Sequence, residues 1–346
     1  NPSAQSRKEL ISIPYAQFNG FFKRDTSFRV TDAGGNTVPH QLERLGQSTP
    51  VNVLVQVAVG AKETLKLAVA AATAEPLAAK TYARYVPERF DDFAWENDLV
   101  AFRMYGKALE GRKDDAQGMD YWAKRTDKLV INSWYKSDNY HKDHGDGMDY
   151  YSVGQSLGAG DVGFYIGSKL QYSKHYRQFQ VLDNGPLRST FRLAFDTERI
   201  DGQEISMSKT ISLDAGSHFN KIVLHINNSE KPTTAIAIGI VKRKEEAPRL
   251  TLAKGNNSLS YWEPPINDSG ETGVAVFFPK ASMEYNNDSD VQALMIGKVA
   301  NGCDFVYYNG AAWNRAGQAT DAASWNKLVD TYKENHKKPL KVVLKK

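Results

Sequence analysis

Apolar and polar residues alternate with period two along most of the chain. The segments "SFRVTD", "VNVLVQVAV", "TLKLAVA", "LVAFRMY", "VGFYIGSKLQY", "YRQFQVL", "LRSTFRLAF", "ISMSKTISL", "FNKIVLHI", "TAIAIGIV", "GVAVFF" and "VQALMIGKV" each read as a strand, set apart by Gly, Asn, Asp and Pro. One helix stands out near the end. There Trp325, Leu328, Val329 and Tyr332 recur at i, i+3, i+4 and i+7, with Asp321 or Ser324 placed to cap it. Many strands and few helices predict an all-β antiparallel sandwich or barrel, not a doubly wound sheet. The expectation is a single domain over 1–346, with 1–80 an N-terminal strand group, 81–346 the main body and a seam within 70–80.

One hairpin can be registered. Asp183-Asn184-Gly185-Pro186 reads as a turn, and a four-residue loop closed by Leu182 and Leu187 sets Arg177 opposite Arg192, Phe179 opposite Thr190 and Val181 opposite Arg188. Facing like charges destabilise a strand pair unless an anion or acid lies between them. Arg177 and Arg192 are therefore candidates to bind a carboxylate or sulfate, or else two solvated arginines that splay apart.

Composition narrows the field. The chain has 346 residues, 41% hydrophobic and 24% charged, with a net charge of +4. That balance leans mildly toward anionic partners, and no basic run is dense enough to indicate nucleic acid. The basic end, "HKKPLKVVLKK", reads as a closing strand with a solvated tip. Cys303 stands alone, so neither an intrachain disulfide nor a thiolate metal cluster can form. No window is long and apolar enough for a membrane-spanning helix. A first residue that is not methionine fits a removed leader, and a periplasmic or secreted protein is the expectation.

Several motifs compete for chemistry. "GAGDVG" matches the dinucleotide glycine pattern by letter, but a strand follows it where a helix is required. In "YHKDHGDGMDYYSVG", His141 and His144 share a glycine-containing loop with Tyr140, Tyr150 and Tyr151. Zinc would need further ligands in tetrahedral array, and a calcium site through Asp143, Asp146 and Asp149 lacks the EF-hand spacing. Acid/base work suits histidines and tyrosines better, and no metal is assigned. In "NDLVAFRMY", alternation puts Asn97 and Arg103 on the face opposite Val100, Phe102 and Met104. Polar groups there need water, an acid or a substrate. Trp95 and Trp122 are either core or platforms for a sugar ring, and Lys124, Arg125, Tyr121 and Trp134 accompany them.

Taken together, "ERFDDFAWENDLVAFRMYG", "YHKDHGDGMDYYSVG", "LDNGPLRSTFRLAFD" and "KTISLDAGSHFNKIVLHI" resemble a domain-of-unknown-function family of bacterial polysaccharide-utilisation systems. The resemblance implies an antiparallel β-supersandwich, as in galactose-mutarotase-like proteins and several polysaccharide lyases. It also implies kinship with dehydratases acting on ulvan oligosaccharides, which remove water from a non-reducing-end uronic acid to leave a 4,5-unsaturated sugar. Such an elimination needs a cation on the carboxylate, a base for the C5 proton and an acid for the departing hydroxyl, with no cofactor. Arg103, Arg125 or Lys124 are candidates for the first role. His141 or His144 suit the second, and Tyr140 or the other histidine the third. Trp95, Asn97, Trp122, Tyr150, Arg177 and Arg192 are expected to line the acidic oligosaccharide. Glycosidic-bond cleavage by a true lyase and sugar mutarotation or epimerisation are alternatives. A non-catalytic carbohydrate-binding module using Trp95, Trp122 and Trp262 is the rival from another class.

Overall fold

The computed structural model describes residues 1–345 except 74, 75, 138, 245–248, 254, 256 and 282. Every strand pair among them is antiparallel. The largest sheet has nine strands, running Gln178–Asn184, Arg188–Ala194, Gln203–Asp214, Phe219–Asn228, Asp304–Trp313, Thr272–Phe277, Ser258–Trp262 and Leu250–Leu252, with Glu198–Ile200 paired to Gln203–Asp214. Two five-stranded sheets pack on one face of it. The first is Lys169–Gln171, Ala159–Ile166, Thr233–Val241, Gln292–Ala300 and Glu284–Asn286. The second is Gly147–Met148, Met119–Lys124, Ala101–Met104, Asp92–Asn97 and Thr81–Val86. Alternate residues from all three, such as Phe102, Ile238 and Ile222, make one continuous core. This is the expected all-β supersandwich, held by apolar burial between pleated faces.

The helix Ala322–Lys337 covers the other face of the large sheet through Trp325 and Val329, which meet Phe219, Trp262, Ala275 and Ala312. Asp321 is its cap: Ser324 N donates to Asp321 Oδ1 at 2.7 Å, and Ser324 Oγ reciprocates by accepting from Asp321 N at 3.1 Å. Gly273 lies under the indole, where a Cβ would come within 2.6 Å of Trp325. The N-terminal residues form their own small core, Ile13, Phe18, Phe28, Val30, Val53, Val55, Val57 and Val59. Polar contacts join it to the large sheet, among them Gln41 Nε2 to Arg188 O at 3.1 Å. Among its described residues the basic tail forms no strand; Leu340 packs against this N-terminal core instead. The seam expected within 70–80 includes 74 and 75, which lie outside the described residues.

Several strand readings need correction; "TLKLAVA", for one, is a strand only over Ala68–Ala71. "VGFYIGSKLQY" is a hairpin, not one strand: Ile166 pairs with Lys169 across Gly167 and Ser168, both with positive φ. Asp304–Trp313, central in the large sheet, carries too little alternation to read as a strand. Its Asn309 is buried in hydrogen bonds to Asn220 and Ala159 O, and Gly310 admits the Phe219 ring. In the hairpin at 178–194, Gln180 faces Arg192 and Asp183 faces Thr190, with a bulge between Val181 and Asp183. The expected register fails because Asp183 and Asn184 belong to the strand. The Asp183 carboxylate accepts from Arg44 N and Leu45 N, while Asn184 Oδ1 accepts from Ala83 N at 2.9 Å.

Candidate active site

The outer face of the second five-stranded sheet carries two ionic clusters, covered by the helix Ile131–Ser137 and the loop that follows it. Register puts Ala94, Arg103 and Asp120 in one row and Glu96, Ala101 and Trp122 in the next. In the second row Lys124 Nζ donates to Glu96 Oε2 at 2.8 Å and to Asn97 O at 2.6 Å. Val130 N and Ile131 N donate to the two Glu96 oxygens, each at 2.8 Å, so the carboxylate also anchors the start of the helix.

The first row is built differently. Buried Arg103 meets three buried carboxylates: Asp120 at 2.5 Å, Asp149 at 3.2 Å and Asp92 at 3.7 Å. Burial pushes Asp92 and Asp149 up to about 6 and Asp120 up to about 7, against the opposing pull of Arg103. Four buried atoms here, Asp92 Oδ1, Arg103 Nε and Nη1, and Trp122 Nε1, have no hydrogen-bond partner among the described residues. A cluster with surplus acid and unmet polar atoms marks a functional-site candidate.

This cluster reaches the surface through the histidine loop. His141 is exposed, and its Nδ1 lies 3.0 Å from Asp149 O and 3.6 Å from Asp149 Oδ2. A carbonyl oxygen can only accept, so Nδ1 carries the proton and the neutral ring offers its Nε2 lone pair. Beside it, the Tyr140 ring stacks on Trp122, and Tyr140 Oη accepts from Arg89 Nε at 3.2 Å. That leaves the Tyr140 hydroxyl proton free to donate. Arg89 itself is half-exposed, and no acceptor is found for its two Nη groups among the described residues.

Arg89 is held by a strained turn. Phe90 and Asp91 both have positive φ, 51° and 63°, at a cost of order 1–3 kcal/mol each. Tyr85 Oη donates to the Asp91 carboxylate and Tyr176 Oη to Asp91 O at 2.5 Å. Gly106 permits the approach, since a Cβ there would lie 1.9 Å from Asp91 O. Sequence reasoning missed Arg89. Two non-glycine left-handed residues in a row leave no signal in a residue string.

The other expected site residues are placed as follows. Arg103 does oppose Phe102 across its strand, but it is sealed among acids and cannot neutralise a substrate carboxylate. Lys124 is consumed by Glu96. Asn97 belongs to the turn before Arg103's strand: its Oδ1 accepts from Leu99 N and Val100 N, and its Nδ2 donates to Asp214 O and Ser217 O. Trp95, Trp122 and Trp262 are each no more than 1% exposed, which removes all three sugar platforms and with them the binding-module reading built on those rings. Trp95 Nε1 instead donates to Asn220 Oδ1 at 2.7 Å. Arg125 pairs with Asp143 at 2.9 Å on the loop's flank, and His144 is exposed there with no bond to His141. The three loop aspartates serve three different cations, Arg125, Lys128 and Arg103, and so do not converge as calcium ligands. Tyr150 bonds Thr272 Oγ1 at 2.5 Å, away from the histidine. Arg177 meets Glu110 at 2.9 Å and Asp196 at 3.4 Å; among the described residues exposed Arg192 meets only Ser208 Oγ, at 3.1 Å. The acid expected near this pair therefore serves Arg177 alone.

Fold and site together define an antiparallel β-sandwich protein with an exposed histidine backed by buried acids. The chain belongs to the family described as domain of unknown function DUF4861, which matches residues 1–342. It is 32% identical over 278 residues to an uncharacterized protein P7 of Formosa agariphila, covering 75% of this chain and 69% of that one. Among solved structures it is similar to a glycosyl hydrolase family 38 protein of Enterococcus faecalis, with a TM-score of 0.52, 10% identity, and coverage of 95% of this chain and 45% of that one. An alpha-mannosidase from Enterococcus faecalis V583 is similar at a TM-score of 0.51, 10% identity, and 94% and 44% coverage. The chain spans less than half the length of these structures, and at this identity the likeness concerns the fold alone.

Proposed function

We propose that the chain is a carbohydrate-active hydro-lyase that eliminates water from the non-reducing-end uronic acid of an acidic oligosaccharide. On this reading it serves bacterial polysaccharide utilisation, outside the cytoplasm, on ulvan-like substrates. The observation that carries the reading is His141: an exposed imidazole whose Nδ1 is held by Asp149 O, leaving Nε2 as the base. Arg89 takes the cation role that Arg103 and Lys124 cannot fill. Its free Nη groups suit a bidentate carboxylate, which makes the C5 proton more acidic. Nε2 takes that proton, the electron pair forms the C4–C5 double bond, and the C4 hydroxyl leaves as water with a proton from Tyr140 Oη. Solvent then returns the proton from His141 to Tyr140.

The test is incubation with size-defined uronate-terminated oligosaccharides. Ultraviolet absorbance follows the conjugated double bond, and mass spectrometry separates loss of one water from chain scission. A positioned acid or base contributes about 10²- to 10⁴-fold. His141→Ala is expected to lose that much turnover, with the melting temperature unchanged, because the ring is exposed. Full turnover in His141→Ala overturns the reading, and chain scission in the wild type replaces the hydro-lyase by a polysaccharide lyase.

A further inference from the structure

We infer that Asp149 is the positioning residue for His141, and that Arg103 acts through it by keeping a negative charge beside the imidazole. The catalytic meaning of this rests on the proposed reaction; the geometry does not. One residue presents two oxygens to the same ring nitrogen. The backbone carbonyl, at 3.0 Å, chooses the tautomer, and Oδ2, at 3.6 Å, faces the positive charge that appears when Nε2 takes a proton. The loop geometry is held independently, since Asp149 N donates to Tyr140 O at 2.8 Å.

The remaining groups decide whether Asp149 is charged. From the sheet, Arg103 favours its ionised form, while Asp92 and Asp120 oppose it. From the strained turn, Arg89 favours it. Tyr105, beside Arg103, and Tyr135, from the covering helix, are raised by burial and stay neutral phenols. Three carboxylates against one enclosed guanidinium make a surplus that burial will not tolerate, so the cluster retains a proton. Burial lifts Asp120 furthest, but both its oxygens already accept, from Tyr121 N at 2.8 Å and from Arg103 Nη2, so a proton there would break a hydrogen bond. Asp92 is the better place: its Oδ1 has no hydrogen-bond partner among the described residues, and its Oδ2 accepts a long bond from Tyr135 Oη at 3.3 Å, with Arg103 3.7 Å away. With the proton on Asp92, Asp149 keeps its charge toward His141.

Nitrogen NMR of the histidine rings tests this without any substrate, and kinetics tests it with one. The neutral His141 ring is expected in the Nδ1–H form, and the exposed His144 ring in the Nε2–H form that solvent prefers. Asp149→Asn keeps the carbonyl and removes the charge. It should lower kcat about 10- to 100-fold, the order lost when the outer partner of a working histidine is removed, with KM unchanged. Arg103→Met should move the acid limb of the pH–rate profile to higher pH, and Arg103→Lys should move it back. If Arg103→Met does not fold, Asp149→Asn still decides. An Nε2–H ring at His141, or full kcat in Asp149→Asn, overturns the inference. A wild-type chain inactive on every uronate overturns the proposed reaction instead, and the ring tautomer then decides the role of Asp149 alone.

Discussion

The Glu96–Lys124 pair and the Arg103 cluster lie side by side on one sheet face, under the same helix, and both are buried. They differ in balance. Glu96 and Lys124 match one to one, and every Glu96 oxygen has a donor at 2.8 Å. Arg103 faces a surplus of acid and leaves unmet atoms around it. A matched pair spends its whole field on its own partners and serves the fold. An unmatched cluster keeps pKa values near neutrality and a field that extends to whatever touches its edge, here His141. Burial of charge alone therefore does not mark a site; an excess of buried acids over cations marks a candidate.

The largest effect should come from the matched pair. Lys124→Met leaves Glu96 buried without its cation and is expected to cost about 3–5 kcal/mol in urea unfolding. A loss below about 1 kcal/mol would mean that the two backbone donors suffice, and would erase the distinction between the clusters.

The acid surplus should appear as a pH dependence of opposite sense to ordinary acid unfolding. Asp92 binds its proton more tightly folded, at about 6, than its usual 3.8. Between those values the folded state holds more protons than the unfolded chain, so stability falls as pH rises through the window, and the loss is complete above about 6. Asp92→Asn removes this term. Measured from pH 4 to 8, wild type should lose stability relative to Asp92→Asn by about 1–3 kcal/mol, all of it on the rising side of pH 4. A flat difference would show Asp92 to be well paired, like Glu96.

The smallest effect sharpens the contrast from outside. Arg192, an exposed cation with a single serine partner, should change stability by no more than about 0.5 kcal/mol on replacement by Ala, and should leave turnover unaltered. A larger change in unfolding midpoint would give surface charge more weight than the comparison allows.

Alternation along single strands was legible because it depends only on neighbours in the chain. It showed that Arg103 opposes Phe102 and that a strand follows "GAGDVG", and helical spacing likewise showed a terminal helix capped at Asp321 or Ser324. It could not show what covers a face. All six residues of Asp92–Asn97 are buried, because the core lies on one side and the helix Ile131–Ser137 on the other, so its polar residues look solvent-facing in the sequence and are not. Register escaped for a related reason: the bonds that set it at Asp183 and Asn184 come from Arg44, Leu45 and Ala83, more than a hundred residues earlier.

By itself the sequence determined the all-β class, the capped C-terminal helix and the loop where exposed histidines meet aspartates and tyrosines, since each is written in local periodicity, capping residues or residue chemistry. Only the tertiary structure decided which cation is free and which is spent. It enclosed Arg103 and Lys124, lifted Arg89 to the surface on two left-handed residues, and set Asp149 against His141. Those outcomes depend on the partners each charge finds once distant strands close over it, and the cost of burying a charge is fixed by those partners.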